Sequence, residues 1–211
     1  APPENFYAMS CCTEGLFLAA EIFGFSVDDE IIVPTISFIA AGSAVVKSGA
    51  SLILCDVDPR TLNATVETIA AKYTSKTKAI ILNHYGGYPC DLGPIMDFAQ
   101  AHNLLVIEDS ACAVQSFYKG QACGTIGDMG IWSFDAMKTL VTGDGGMIHL
   151  KSQEHLDHVK EECYLGLPSR GASGIDKVKE GSDIWWEVQI NRPGRRSVMN
   201  NISAAIGLSQ L

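Results

Sequence analysis

The chain has 211 residues, 47% of them apolar and 18% charged, and its 15 basic against 24 acidic residues give a net charge of −9. This composition excludes a disordered chain, which would combine low hydrophobicity with high net charge. The acidic balance argues against a nucleic acid or an anionic membrane surface as the main partner. The sequence shows neither the apolar run of ~18 residues that a membrane span requires nor the pattern of a signal peptide.

Strand-like and helix-like segments alternate along most of the chain. In chain order we predict a strand at 6–10, a helix at 14–24, a strand at 30–33, a helix at 37–47, a strand at 51–56, a helix at 64–73, a strand at 79–83, a helix at 92–102, strands at 104–108, 130–134 and 146–150, and helices at 152–165 and 199–211. The strand at 6–10 is interpreted as a core strand. Thr13 is predicted to cap the first helix, and residues 118–121 have the chemistry of a hairpin turn.

Buried strands separated by helices of about ten residues indicate βαβ units. The expected fold class is therefore α/β, with a mostly parallel sheet covered by helices on both faces. The stretch 168–181 is rich in glycine, serine and charge, and is predicted to be an exposed loop.

The seven cysteines are scattered among apolar stretches and include no CxxC pair. This pattern indicates free thiols in a reducing cytosol rather than a disulfide framework, so a cytoplasmic location is expected. The five histidines show no ligand spacing with the cysteines, and no metal site is predicted. His155 and His158 are three residues apart and are interpreted as part of a solvated helix face.

Polar residues follow several of the predicted strands, where a parallel sheet collects its ligands. Taken singly, each has an ordinary structural explanation. Asp109 could cap the next helix, Lys138 could be a loop lysine, and Phe38 could belong to the core. Ser10 and Thr13 could be plain helix caps.

Together, these residues form a pattern. The segments EDSA at 108–111, GTIGD at 124–128, SF at 133–134, KTL at 138–140 and TGDGG at 142–146 resemble the DegT/StrS family of pyridoxal-phosphate-dependent sugar aminotransferases. Further segments agree with that family in order and spacing. They are VPT at 33–35, DVDP at 56–59, HYGGYP at 84–89 and the apolar stretch 199–211. The resemblance covers nearly the whole chain and implies the large domain of a type I pyridoxal phosphate (PLP) fold.

The resemblance also implies roles for individual residues. Lys138 would hold the cofactor as a Schiff base and later move the proton between carbon atoms. Asp109 would keep the pyridine nitrogen protonated, which lets the ring accept carbanion electrons. Phe38 would stack on the face of the ring.

Other positions correspond to the cofactor's phosphate. Cys12 and Thr13 open the first helix, where free N–H groups and the helix dipole favour an anion, and Ser133 matches a serine that also reaches the phosphate. Cys112 stands where the family usually has glutamine or histidine beside the cofactor. Arg196 replaces an asparagine that reaches the neighbouring subunit's phosphate, and an arginine can bind that anion.

The implied organisation has two parts: a cofactor-binding domain at 1–165, and a loop and helix at 166–211 leading towards a small domain absent from the sequence. The implied reaction transfers an amino group from an amino acid such as glutamate to a keto-sugar, which is expected to be nucleotide-linked. A homodimer is expected, with Arg192, Arg195 and Arg196 reaching across it. A solvated basic loop is the alternative for these arginines. Alternative functions are a cyclitol aminotransferase, a lyase, or a non-catalytic cofactor-binding relative.

Overall fold

The computed structural model describes residues 1–167, 190 and 192–211, so the predicted loop at 168–181 lies outside the described residues. The strands are β1 (Phe6–Met9), β2 (Glu30–Pro34), β3 (Ser51–Cys55), β4 (Thr77–Asn83), β5 (Leu105–Asp109), β6 (Phe117–Tyr118), β7 (Gln121–Ala122), β8 (Met129–Ser133) and β9 (Gly146–Leu150). The α-helices are α1 (Cys12–Ile22), α2 (Ile39–Ser48), α3 (Val66–Ala70), α4 (Leu92–His102), α5 (Gln153–Glu162) and α6 (Asn201–Leu208). Among the helices described, none is both long and apolar enough to cross a bilayer.

Seven strands form one sheet in the order β1-β9-β8-β5-β4-β2-β3. β9 is antiparallel to both of its neighbours, and the other strands all run in one direction. Alternate residues of the central strands enter two different cores, so Ile81 packs on one face while Ile80 and Leu82 pack on the other. Helices α1, α2 and α5 cover the first face, and α3 and α4 cover the second. This confirms the predicted fold class.

The start of α1 differs from the prediction. The helix begins at Cys12, and its N-cap is Cys11, which has extended backbone angles and makes no side-chain cap. Thr13 therefore lies inside the first turn, and its prediction as the N-cap was wrong. The chain passes from β1 into α1 through only Ser10 and Cys11, so the helix must begin before the threonine.

Two other elements also differ from their predicted form. Phe38 is the N-cap of α2 and is 67% exposed, so the alternative that placed it in the core was wrong. α3 is only five residues long, and a reciprocal capping box between Thr65 and Thr68 fixes its start. The hairpin prediction is confirmed: Lys119 and Gly120 both have positive φ between β6 and β7, as a two-residue turn of this kind requires.

β1 lies at one end of the sheet rather than inside it, and only Met9 among its residues is buried. Its outer edge is partly covered by the segment that precedes α6. Ser10 N–H donates to the Ser197 carbonyl at 3.3 Å, and Met9 forms an isolated antiparallel bridge with Val198. This contact shields part of an edge strand that would otherwise expose unpaired backbone groups.

Arg195 holds the same segment against two helices. Its guanidinium forms ion pairs with Glu14 and Glu21 of α1 and with Glu162 of α5. For this arginine the interpretation as a solvated basic loop was wrong, because three carboxylates of its own chain surround it. The solvated face predicted for α5 is also only partial, since His155 packs edge-on against Phe23 with the ring centroids 5.2 Å apart.

Replacing Arg195 with alanine is expected to lower the free energy of unfolding by about 1–2 kcal/mol, the scale of several partly exposed ion pairs lost together. The three carboxylates would then repel one another, so added salt should reduce the deficit. Urea denaturation at two salt concentrations measures both effects. The control is Arg60→Ala, because Arg60 pairs with Asp58 at 3.6 Å on an exposed side chain. An Arg195→Ala midpoint equal to that of the control would contradict the prediction.

Candidate active site

The carboxyl edge of the sheet brings together residues that are far apart in the sequence. Asp109 ends β5 and Ser133 ends the adjacent β8, while Cys12 opens α1 directly after β1. The turn after β5 is held to β8 by a hydrogen bond of 2.8 Å from Ser110 N–H to the Ile131 carbonyl. Parallel strands present their carboxyl ends at one edge, and this explains why these polar groups converge.

Beneath this edge lies a buried pair that our reading of the sequence missed, Glu108 and His84. Both side chains are fully buried, and His84 Nε2 lies 2.9 Å from Glu108 Oε2. His84 Nδ1 accepts a hydrogen bond from Cys90 N–H, so the ring hydrogen is on Nε2 and is donated to the carboxylate. In the sequence, each residue stands at the end of an apolar strand and within a segment that resembles the family, but neither signal pairs the two side chains.

Three backbone N–H groups also donate to the Glu108 carboxylate. They belong to Gly124, Ile126 and Gly127, at 2.7, 2.7 and 2.6 Å. Burial by itself would raise the pKa of Glu108, but the hydrogen bonds from His84, Gly127 and Gly124 outweigh it and hold the pKa below the usual range. The charged carboxylate of Glu108 thus holds both the loop at 124–127, which precedes β8, and His84, which follows β4.

Asp109, the next residue, has a different environment. Its side chain is 3% exposed, and Oδ1 accepts a hydrogen bond of 3.1 Å from Ala111 N–H. Burial raises the pKa of Asp109, although the Ala111 N–H group, Lys138 and His84 oppose that shift. A buried carboxylate with so few donors is stabilised by a cation, and a protonated ring nitrogen would supply one.

Lys138 lies in the loop that follows β8. A turn orders this loop, since Lys138 N–H donates to the Asp135 carbonyl at 3.0 Å and Asp135 N–H donates to Ser133 Oγ at 3.3 Å. The Lys138 ammonium donates to Cys112 Sγ at 3.6 Å. Its charge also opposes the upward pKa shifts of both Asp109 and Cys12. Lys138, Asp109, Cys12 and Cys112 therefore form one cluster.

The first turn of α1 lies beside this cluster. Cys12 is buried, and burial, followed by the charge of Asp109, raises its pKa well above the usual thiol value. Gly146 packs directly on the turn, because a Cβ on this residue would lie 2.7 Å from the carbonyl carbon of Cys11 and from the backbone nitrogen of Cys12. The N-terminus of an 11-residue helix, with Thr13 in its first turn, favours an anion at this position.

The contacts that define the cluster do not include Phe38 or Arg196. Phe38 lies at the same edge, beyond β2, and borders a groove of about 630 Å³ between α2 and β3. Arg196 is exposed and forms an isolated backbone bridge with Tyr164. Within the part of the chain that is described, no hydrogen bond or ion pair joins the Arg196 side chain to Asp109, and a phenylalanine side chain can form neither.

The clustered groups fit pyridoxal phosphate. A buried carboxylate with a raised pKa suits a protonated ring nitrogen, and a nearby lysine suits the carbonyl carbon. The first turn of α1 and the Ser133 hydroxyl suit the phosphate. The described residues include no group of three or more side chains that could hold a metal ion.

The chain is also similar to known aminotransferases. The sequence profile described as the DegT/DnrJ/EryC1/StrS aminotransferase family matches residues 4–211. A dTDP-4-dehydro-2,3,6-trideoxy-D-glucose 4-aminotransferase of Saccharopolyspora spinosa is 44% identical over 209 residues, which are 99% of this chain and 54% of that protein.

Two solved structures resemble the fold along almost the whole chain. The aminotransferase TlmJ from Streptoalloteichus hindustanus superposes with a TM-score of 0.89 at 44% identity, over 100% of this chain and 53% of that one. The protein Spr1654 from Streptococcus pneumoniae, in its PLP form, superposes with a TM-score of 0.80 at 26% identity, over 97% of this chain and 54% of that one. The chain spans about half the length of the curated relatives it matches.

Proposed function

Because the chain belongs to the DegT/DnrJ/EryC1/StrS aminotransferase family, we propose that it forms the cofactor-binding part of a PLP-dependent aminotransferase acting on a keto-sugar. The observation that carries this proposal is the cluster in which Lys138 lies next to Cys112 and near the buried carboxylate of Asp109. Neither residue is required by the packing of the sheet, and a buried carboxylate with a raised pKa reduces stability at neutral pH. A functional role accounts for both residues.

When bound, pyridoxal phosphate supplies an electron sink that stabilises a carbanion next to nitrogen. The residues of the chain supply the rest. Asp109 holds a proton on the ring nitrogen, and Lys138 Nζ binds the carbonyl carbon and then carries a proton between carbon atoms as general base and acid. The backbone N–H groups at Cys12 and Thr13 bind the phosphate.

Four further side chains complete the proposed site. Ser133 Oγ also donates to the phosphate, and Cys112 lies beside Lys138 where it contacts the cofactor. Phe38 covers one face of the ring, and Arg196 binds the phosphate held by a neighbouring subunit. The assignment of Arg196 requires the segment before α6 to reach the cluster of the neighbouring subunit in the assembled enzyme.

For the substrates, we propose an amino acid donor such as glutamate and a nucleotide-linked keto-sugar acceptor. The name of the Saccharopolyspora spinosa relative, which is a dTDP-sugar aminotransferase, supports this choice. A cyclitol aminotransferase, a lyase or a non-catalytic relative would share the same cofactor site. Analysis of the products formed with sugar and cyclitol acceptors distinguishes a sugar aminotransferase, a cyclitol aminotransferase and a lyase from one another.

We also propose the organisation of the enzyme. Residues 1–165 form the cofactor-binding domain, and residues 166–211 lead towards a small domain. Two subunits form a cytoplasmic homodimer around the active site. The apolar side chains that α6 exposes support a partner surface, since Ile202 is 77% exposed and Leu208 is 73% exposed.

The test is an absorbance spectrum of the purified protein with pyridoxal phosphate. We expect a visible band that borohydride bleaches, leaving a pyridoxyl group on Lys138, and we expect glutamate to remove the band before reduction. Lys138→Ala should lose the band completely, whereas Lys160→Ala, which removes a partly exposed lysine paired with Asp157 on α5, should retain it. A folded protein without the band, or with the pyridoxyl group on another lysine, would refute the proposed role of Lys138.

A further inference from the structure

The contact between Lys138 and Cys112 has chemistry of its own. The lysine Nζ lies 3.6 Å from the cysteine Sγ, and the four-carbon lysine side chain is flexible. Cys112 is exposed, in the turn that follows β5, so a small oxidant can reach its sulfur from solvent. A nitrogen that becomes nucleophilic on losing a proton therefore lies next to an accessible sulfur atom.

Cys112 differs from the other cysteines. Cys12, Cys55, Cys90, Cys123 and Cys163 are buried, and Cys11 is partly buried. Burial is the main cause that raises the pKa of all five buried thiols, which keeps them neutral and poorly nucleophilic. Oxidation by a dissolved reagent is therefore directed to Cys112.

We infer that Cys112 and Lys138 form a reversible oxidative crosslink, a sulfenamide bond between Sγ and Nζ, when a hydroperoxide reaches the site. The proposed aminotransferase reaction uses Lys138 but does not form this bond. Its existence does not depend on the proposed function, because neither cofactor nor sugar takes part.

The reaction balances in two steps. In the first, the Cys112 thiolate attacks one oxygen of hydrogen peroxide, the O–O bond breaks, and sulfur is oxidised by two electrons to the sulfenic acid. The other oxygen takes a proton from the adjacent Lys138 ammonium and leaves as water, so Nζ becomes a neutral amine. In the second, the lone pair of the neutral Lys138 amine attacks Sγ. The S–O bond breaks, and the hydroxide leaves as a second water molecule with a proton from nitrogen.

A thiol reductant reverses the crosslink. The thiol attacks Sγ, the S–N bond breaks, and nitrogen takes up a proton and returns to the amine. A second thiol then releases the Cys112 thiol by exchange. While the bond exists, Nζ cannot bind a carbonyl carbon. Peroxide would therefore inactivate the site by blocking Lys138 Nζ, and reduction would restore its activity.

Cys11 and Cys12 are the competing partners, because their thiols also lie in the cluster. Attack by either one on the sulfenic acid would give a disulfide with the same loss of two hydrogen atoms. The direct contact between Nζ and Sγ favours the amine, and Cys12 is additionally buried inside the first turn of α1.

The experiment treats the purified protein with one equivalent of hydrogen peroxide, alkylates the free thiols and maps the peptides without reduction. We expect a product lighter by two hydrogen atoms, with a linked pair of peptides containing Cys112 and Lys138 and no tryptic cleavage at Lys138. Dithiothreitol should remove the link. The linked peptide should persist in both Cys11→Ser and Cys12→Ala.

Two variants should lose the linked peptide completely. Cys112→Ser removes an exposed sulfur and leaves the fold intact, as far-UV circular dichroism can verify. Lys138→Arg keeps the charge but is a poor nucleophile, so dimedone should trap the sulfenic acid at Cys112. Three outcomes would overturn the inference: a disulfide from Cys112 to Cys11 or Cys12, a sulfinic acid at Cys112 of the unaltered protein, or oxidation of a buried cysteine first.

Discussion

Glu108→Gln is expected to lower the free energy of unfolding by about 3–5 kcal/mol, the cost of breaking a buried charge network by removing one partner. The carboxylate accepts hydrogen bonds from His84 Nε2 and from three backbone N–H groups. A glutamine keeps the shape but turns an NH2 group towards one or more of those donors. Urea denaturation at neutral pH measures the loss, with Glu154→Gln as the control because Glu154 is exposed on α5.

The pH dependence of stability gives an independent test of the same network. The pKa of Glu108 is lower in the folded protein than in the unfolded chain, so its contribution is complete above the ordinary glutamate pKa. That contribution is lost as the pH falls through the folded value. The stability difference between Glu108→Gln and the unaltered protein should therefore shrink in acid. A difference below about 1 kcal/mol at neutral pH, the net worth of one ordinary hydrogen bond, would contradict the network.

Asp109→Asn is expected to slow the glutamate half-reaction by at least about 10²-fold, the scale of losing one preorganised charged partner. An asparagine cannot hold a proton on the ring nitrogen as a carboxylate does. The variant should nevertheless be more stable than the unaltered protein. Burial raises the pKa of Asp109 above its unfolded value, so the charged form reduces stability once the pH exceeds that value.

Rapid-mixing absorbance measures the half-reaction, and thermal unfolding at pH 7 without cofactor measures stability. Asp28→Asn is the matched control, since Asp28 is exposed before β2 and should change neither quantity. Opposite signs for rate and stability distinguish a carboxylate retained for function from one that supports the fold. A rate equal to that of the control, or a clear loss of stability, would remove Asp109 from its proposed role.

The arrangement of the sheet could be predicted because each central strand is apolar on both faces. Residues such as Ile31 and Ile32 enter opposite cores, and a sheet covered on both sides, which is typical of parallel sheets, buries both. Helix α4 and strand β9 have the predicted bounds. The helix starts were less predictable, because at Cys11 and Phe38 the backbone entering the helix decides the first turn and no side chain caps it.

The candidate site was predictable as a set of residues and unpredictable as a set of contacts. Polar residues at the ends of parallel strands must share one edge, so Asp109, Ser133 and Cys12 could be grouped from the sequence. The partners of Glu108 could not be predicted, because three of its four donors are backbone groups of one loop. Backbone donors leave no mark in the residue types of a sequence.

The sequence by itself determined the fold class and the residue types at the carboxyl edge, since the alternation of strands and helices follows from the local apolar pattern. Only the tertiary structure decided how charges pair across the chain. Arg195 meets Glu14 across about 180 intervening residues, and Lys138 meets Cys112 rather than Asp109 as its hydrogen-bond partner. Contacts between such distant residues depend on the conformations of the loops that pack over the sheet. The spacing of residues in the sequence does not encode those conformations.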